Sequence, residues 1–392
     1  MNKKILVIPS WYPNNKNDLV GSFYKEQAQL LNRNGYDIKV LYGIEHRLSF
    51  IKYLRKLFKT STTLSTKFLK QDPEAFSFDI YYYKKWSEKK TLAHKKKQYE
   101  KAFNSLSQQW QPELIHAQST ANAGIYAYHL SAISGIPYVI IEHQIFLLNV
   151  YPKTIQKEMV KAIENAAKTG AVSYHQQRCI LMHNIDCNPI ITWNLMDETK
   201  FDILKNQSNS KFTILTITYP HFIKDSPTFF KSIKAFQDIS DVDFEVIVIG
   251  NNSFKDITKA NSDTFEAQAK ANNVLDKCTF YPHLNREEIK RKLQECDVYV
   301  STSIAETYGV AAREAMLCGK PVISTKSGGI EDSLNLNTGI SVNIKDYKSI
   351  AEHLKKTSSG EHTFSPEIIR NFIIEQAGQK AFIKIMSDFY NL

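Results

Sequence analysis

Glu306 and Glu314 stand eight positions apart, on either side of Gly309, in the stretch ETYGVAAREAMLCGKPV, which is otherwise mostly small or apolar. The strand-like run DVYVSTS precedes Glu306, and a helix is predicted from near Tyr308 to Gly319 with Glu314 about one to two turns inside it. The carboxylates therefore straddle a helix N-terminus. Its amides, those of Tyr308, Gly309 and Val310, form an anion site favoured by the helix dipole. Carboxylates on either side can accept hydrogen bonds from sugar hydroxyls attached to a phosphate. That chemistry suits a nucleotide sugar. The plainer alternative is that Glu306 caps the helix and Glu314 is a solvated helix residue, since short motifs recur by chance.

Positioning such a pair needs a strand ending in front of a helix, and the chain alternates short β-branched runs with amphipathic stretches throughout. Strands are predicted at 4–9, 37–42, 113–117, 137–141, 170–173 and 189–192. The clearest helices between them are 23–34, closed by Gly35, and 154–168. The polar stretch LKNQSNSK, residues 204–211, reads as a linker. Strands at 212–218, 244–249, 278–281, 297–302 and 321–325 follow it. The fold class is α/β, with two Rossmann-like doubly wound domains: 1–195, which includes a basic insertion at about 45–110, and 205–375, with 376–392 a helix returning to the first. Ligands of such sheets sit beyond the carboxyl ends of the strands, and a cleft between facing domains is the expected site.

A chain of 392 residues exceeds the usual size of one core, which supports two domains. No apolar run approaches the ~20 residues of a membrane span, and residues 5–9 are too short for a signal-peptide core. The five cysteines, Cys179, Cys187, Cys278, Cys296 and Cys318, are odd in number and form no CxxC pair. They read as reduced, buried small hydrophobes in a cytoplasmic protein, with neither a disulfide framework nor a zinc site signalled.

The stretch from Glu306 to Leu334 resembles the E-x7-E signature of the family-four retaining glycosyltransferases. GSFYKEQAQLLNRNGYDIKVL is similar to that family's first glycine loop and helix, ELIHAQ to its second-strand histidine region, GIPYVIIEHQ to its Glu-His turn and WNLMDETKF to its inter-domain segment. These landmarks cover nearly the whole chain except about 45–110. The resemblance implies the GT-B architecture and transfer of a sugar from a nucleotide diphosphate, most often UDP, with retention at the anomeric carbon and without a required metal or other cofactor. By position it implies that Glu306 binds donor-sugar hydroxyls, Glu314 the ribose, and the amides of Gly309 and Val310 the distal phosphate. Lys224 matches the phosphate-binding lysine, and His143 a residue facing the reacting sugar. Gly21 lies in the first glycine loop, where many relatives have two glycines. Tyr281, Pro282 and His283 are placed to flank the base, and His116 reads as structural. The sequence departs from the family at Thr218 and Tyr219, where a Gly-Arg pair is usual, so the diphosphate loses a bidentate donor that lysine cannot mimic. His221 or Arg313 are the candidates to compensate. Gln118 stands where a second histidine is common.

Rival readings are testable against the same residues. A dehydrogenase needs GxGxxG after a strand, and the first turn carries SWYPNNKNDLVGSF instead. A sugar-nucleotide epimerase of GT-B architecture would also bind UDP and sugar, and a non-catalytic nucleotide-sugar-binding subunit would tolerate the missing arginine. Residues 47–101 hold fifteen Lys or Arg against five acids, an excess equal to the +10 of the whole chain. No nucleic-acid-binding motif accompanies that charge. FIKYLRKLF puts Phe50, Ile51, Leu54, Leu57 and Phe58 on one helical face with Lys52, Arg55 and Lys56 largely on the other, the pattern of a helix on an anionic membrane surface. A solvated basic cover is the alternative. Expected partners are thus a nucleotide sugar, a glycan or lipid-linked acceptor in surface-polysaccharide assembly, and the inner face of a membrane, and no nucleic acid.

Overall fold

Ile5, Leu6, Val7 and Ile8 are consecutive and each at most 1% exposed. Such a run is buried on both faces, as an inner parallel strand covered by helices must be. A computed structural model describes residues 3–13, 21–59, 67–69, 73–204, 210–250 and 264–392, and divides the chain into two compact units. Residues 205–209 of the predicted linker lie outside the described residues.

The first unit comprises Met1–Val172, Gln176–Leu195 and Phe382–Leu392. Its strands are β1 (Lys4–Pro9), β2 (Asp37–Leu48), β3 (Lys67–Leu69), β4 (Glu74–Tyr83), β5 (Leu114–Gln118), β6 (Tyr138–Glu142), β7 (Lys168–Ala171) and β8 (Ile190–Ile191). They form one sheet in the order β3-β4-β2-β1-β5-β6-β7-β8, parallel except where β3 meets β4. Between them run α1 (Ser22–Arg33), α2 (Phe50–Lys59), α3 (Glu88–Ser107), α4 (Ile125–Ser134), α5 (Lys153–Glu164) and α6 (Tyr174–Leu181). The order reverses at β1, with β2 on one side and β5 on the other, so loops leaving β1 and β5 diverge around a crevice.

The second unit comprises Ser173–His175 and Met196–Ala381. Its strands β9 (Phe212–Ile217), β10 (Phe244–Ile249), β11 (Cys278–Tyr281), β12 (Val298–Ser301), β13 (Val322–Thr325) and β14 (Gly339–Val342) are all parallel, in the order β11-β10-β9-β12-β13-β14. Its helices are α7 (Ser226–Ile239), α8 (Phe265–Ala271), α9 (Arg286–Glu295), α10 (Val310–Leu317), α11 (Tyr347–Ser358) and α12 (Pro366–Ala377). Phe229, Phe230, Ile233 and Phe236 form the buried stripe of α7, packed in one cluster with Val246 and Val248 of β10. Here the switch point lies between β9 and β12. The doubly wound class predicted for both halves is therefore observed. The last helix, α13 (Gln379–Tyr390), joins the first unit from Phe382 onward, where the Tyr390 hydroxyl meets His116 Nδ1 at 2.8 Å.

Three strands escape the sequence reading: β3, β4 and β14. The basic segment 45–110 is more than a solvated cover, because β4 pairs along its length with β2 and buries Ala75, Phe76, Phe78 and Ile80. Helix α3 adds Leu92, Tyr99, Ala102, Phe103 and Leu106 to the same core. Helical spacing puts these on one face and leaves the exposed Lys89, Lys90 and Lys97 off it. The helix predicted at 154–168 stops at Glu164, where Asn165 serves as its C-cap, and Lys168 already opens β7.

Candidate active site

In the second unit the loops after β9 and β12 bring Lys224 and Glu306 together. Lys224 ends a short 3-10 turn, Phe222–Lys224, and Asp225 after it adopts a left-handed backbone. The Thr302 hydroxyl donates to the carbonyls of Lys224 and Asp225, both at 3.1 Å, and the Ile304 amide donates to Ile223 O at 2.6 Å. The turn is thus pinned to the loop that carries Glu306. Lys224 Nζ forms an ion pair with Glu306 Oε1, which also accepts from Ser303 Oγ at 2.8 Å.

Glu306 is fixed through its backbone as well. Its amide donates to Ser327 O at 2.8 Å and its carbonyl accepts from Gly329 N at 2.9 Å. A Cβ on Gly329 would lie 2.1 Å from Thr307 O and 2.5 Å from Tyr308 N, so this approach admits only glycine. Gly309, with φ 76°, is the N-cap of α10, and helix starts leave their first amides without intrahelical acceptors. Glu314, one turn into α10, is 7% exposed and accepts from Arg286 Nη2 at 2.9 Å. Arg286 is the first residue of α9, set by a capping box between Asn285 and Glu288. His283 lies exposed in the loop that leads from β11 to that cap.

The candidates to replace the missing arginine are both committed elsewhere. Arg313 is fully buried with its guanidinium 3.8 Å from the Tyr308 ring centre, and its Nη2 donates to Gly329 O at 2.9 Å. It props the glycine loop from beneath, and burial lowers its pKa. His221 is exposed and caps the 3-10 turn, its Nδ1 accepting from Ile223 N at 3.3 Å. Tyr219, at the former arginine position, places its ring 5.3 Å from Lys224 Nζ.

In the first unit, His143 follows β6 and Gly21 opens α1. Gly21 has φ 74°, and a Cβ there would meet Trp11 O at 2.7 Å. Residues 14–20 of the loop before it lie outside the described residues. The His143 ring is edge-on to Tyr24 at 4.9 Å, with the Asn194 side chain also against it. Burial, with a smaller push from His116, lowers its pKa to about 3, and the Asn194 amide pulls weakly the other way. His143 is therefore neutral at pH 7. The preceding Glu142 is buried with its carboxylate accepting the amides of Thr120 at 2.9 Å and Gln144 at 2.8 Å, and burial raises its pKa. Gln118 donates to Gln27, which donates to Asn194, a buried chain of neutral amides. His116 is buried against Tyr390.

Sequence reasoning missed Arg286 and Ser303. The capping sequence NREE just after a strand marks a loop at the carboxyl edge, but not that its arginine reaches Glu314. Among the described residues no group of three or more His, Cys, Asp or Glu side chains is placed to hold a metal ion.

The family model described as Glycosyl transferases group 1 matches residues 205–377. Over 94 residues the chain is 29% identical to a D-inositol 3-phosphate glycosyltransferase of Arthrobacter sp. (strain FB24), a match spanning 24% of this chain and only 21% of that relative. A longer match, 22% identical over 385 residues, covers 93% of this chain and 91% of the putative teichuronic acid biosynthesis glycosyltransferase TuaC of Bacillus subtilis (strain 168). The solved structure of Anabaena Alr3699/HepE in complex with UDP and glucose aligns with TM-score 0.70 at 15% identity, covering 99% of each chain. The fold is accordingly GT-B, and the match to the group 1 glycosyl transferase model lies within the second unit.

Proposed function

From the match of residues 205–377 to the group 1 glycosyl transferase model, we propose that this protein is a retaining, metal-independent glycosyltransferase acting on a UDP-sugar. The observation that carries this reading is the Lys224–Glu306–Ser303 cluster at the switch point of the second sheet, beside the first amides of α10. Glu306 accepts hydrogen bonds from the donor sugar's hydroxyls, and Lys224 with the amides of Gly309 and Val310 neutralises the distal phosphate. The bond from the anomeric carbon to the phosphate oxygen breaks, and the nucleoside diphosphate leaves with the electron pair. The acceptor hydroxyl oxygen bonds the same carbon, and its proton goes to the leaving phosphate. Charge grows on that phosphate as the bond breaks, so Lys224 binds the transition state more strongly than the ground state. Glu314, held by Arg286 at 2.9 Å, is the carboxylate that takes the ribose, with Tyr308 contributing its amide and His283 a flank of the base. In the first unit His143, buried and neutral, is the residue that the family resemblance sets toward the reacting sugar. The UDP and glucose bound in the Anabaena structure support a UDP-linked donor, and the putative teichuronic acid role of TuaC supports an acceptor in surface-polysaccharide assembly.

The test is release of nucleoside diphosphate from a panel of UDP-, GDP- and ADP-sugars, with and without EDTA. We expect one UDP-sugar to be consumed at a rate that EDTA leaves unchanged. A strict need for Mg²⁺ or Mn²⁺ would overturn metal independence, and consumption of no donor would favour a non-catalytic binding subunit.

We also assign α2 to an anionic membrane surface on the cytoplasmic side. Phe50 and Ile51 are 54% and 64% exposed, although Phe50 also meets Tyr83 edge-on at 5.5 Å; Tyr53 packs on Trp86 and Lys56 on Tyr81, and the side chains of Leu57 and Phe58 lie outside the described residues. Among the described residues no helix is long and apolar enough to cross a membrane. Sedimentation with vesicles decides this: binding should need anionic lipid and weaken with salt as the Debye length falls from about 10 Å at 0.1 M to about 3 Å at 1 M. Equal pelleting with neutral vesicles, or none with either, would remove the role.

A further inference from the structure

A cavity of about 240 Å³ lies within the first unit and is lined by Arg47, Tyr82, Lys84, Trp86, Glu88 and Lys95 among others. Its volume falls just under the about 300–1,000 Å³ of drug-sized ligand pockets, which suits one ring-sized unit. Arg47 and Tyr82 are register partners near the carboxyl ends of β2 and β4, so they share one face of the sheet. Lys84 is the first residue past β4, Trp86 sits in the following turn, and Lys95 lies on α3. The cavity is therefore at the carboxyl edge of the sheet, where doubly wound folds take ligands.

The lining is preorganised. Lys95 Nζ is 2.6 Å from Glu45 Oε2 and 5.0 Å from the Tyr82 ring centre, while the Tyr82 hydroxyl donates to the same carboxylate at 3.2 Å. Trp86 is held edge-on by Tyr53 and His94, each at 5.2 Å, and Lys90 Nζ lies over its ring at 4.5 Å, which leaves its other face for a sugar. Arg47 spends one Nη2 contact, at 3.1 Å, on the Lys84 carbonyl. Among the described residues no carboxylate pairs with Lys84 or Arg47, so with Lys95 balanced by Glu45 the walls keep two cations against Glu88. Aromatic rings offer the apolar face of a sugar a surface, Glu88 accepts a ring hydroxyl, and Arg47 with Lys84 binds a single anionic substituent.

We propose that this pocket binds an anionic hexose ring, one bearing a carboxylate or a phosphate, as a unit of the acceptor. The acceptor role rests on the glycosyltransferase reading above, whereas the binding itself does not. The experiment is calorimetric titration of the full chain with glucuronate, glucose 6-phosphate, glucose and inorganic phosphate, with UDP as a separate arm. We expect saturation by at least one of the two anionic rings below about 10 mM, and binding at least about tenfold weaker for glucose and for inorganic phosphate. Which ring binds identifies the substituent. Arg47→Gln with Lys84→Gln should weaken that binding at least tenfold, Trp86→Ala should do likewise, and UDP affinity should not change. Equal binding of glucose, equal binding of inorganic phosphate, no saturation by either anionic ring, or indifference to the substitutions would each overturn the pocket. Loss of the UDP arm with ring binding intact would instead count against the glycosyltransferase reading.

Discussion

Glu306→Gln is expected to lower sugar transfer by about 10²–10³-fold, the scale for removing one preorganised electrostatic contact, while leaving UDP affinity unchanged or slightly higher. Glutamine keeps the shape of the side chain and can still accept from Ser303, which donates to Glu306 Oε1 at 2.8 Å. It loses the charge, so hydrogen bonds from donor hydroxyls weaken from charge-assisted to neutral ones. It also releases Lys224 from its ion pair, which leaves that ammonium freer for a phosphate. Initial rates of UDP release alongside calorimetry separate these effects. Wild-type turnover would remove Glu306 from the site. A parallel fall in UDP affinity would show that the residue works through its loop, since its backbone also holds Ser327 and Gly329.

The pair of glutamates was legible because a carboxylate just after a strand and another a turn into the next helix have positions set by local geometry. Arg286 was not, since its contact with Glu314 depends on how α9 packs beside α10, which no local pattern encodes. The burial of Arg313, a candidate phosphate ligand by sequence, was equally hidden, because nothing in AAREAM shows that the glycine loop lies against it. Strand β4 escaped because its alternating aromatics, Phe76, Phe78 and the tyrosines after Ile80, sit in a segment whose lysines dominate the composition. That the same helix, α3, carries a buried stripe of Leu92, Tyr99, Phe103 and Leu106 follows only once its 3.6-residue period is separated from the lysines around it. Strand β14 is four residues long and includes a glycine, too little to register.

The second large effect concerns Lys224→Ala, expected to weaken UDP binding by about 10–100-fold, or about 1.4–2.8 kcal/mol, in line with the worth of hydrogen bonds to charged groups. Turnover should fall further, because charge on the diphosphate grows as it leaves. Part of the loss arises from Glu306, which the substitution leaves as an unpaired carboxylate facing the phosphate, so Lys224→Ala in the Glu306→Gln background isolates the lysine's own contribution. Uridine carries no diphosphate and provides the internal control. The most direct measurement is therefore calorimetric titration of UDP and uridine into wild type and Lys224→Ala, with GDP and ADP alongside. The account predicts that wild type binds UDP at least about tenfold more tightly than uridine and that Lys224→Ala erases most of that increment while uridine binding holds. Wild type that binds no nucleoside diphosphate, or that binds UDP and uridine alike with no change on losing Lys224, would contradict it.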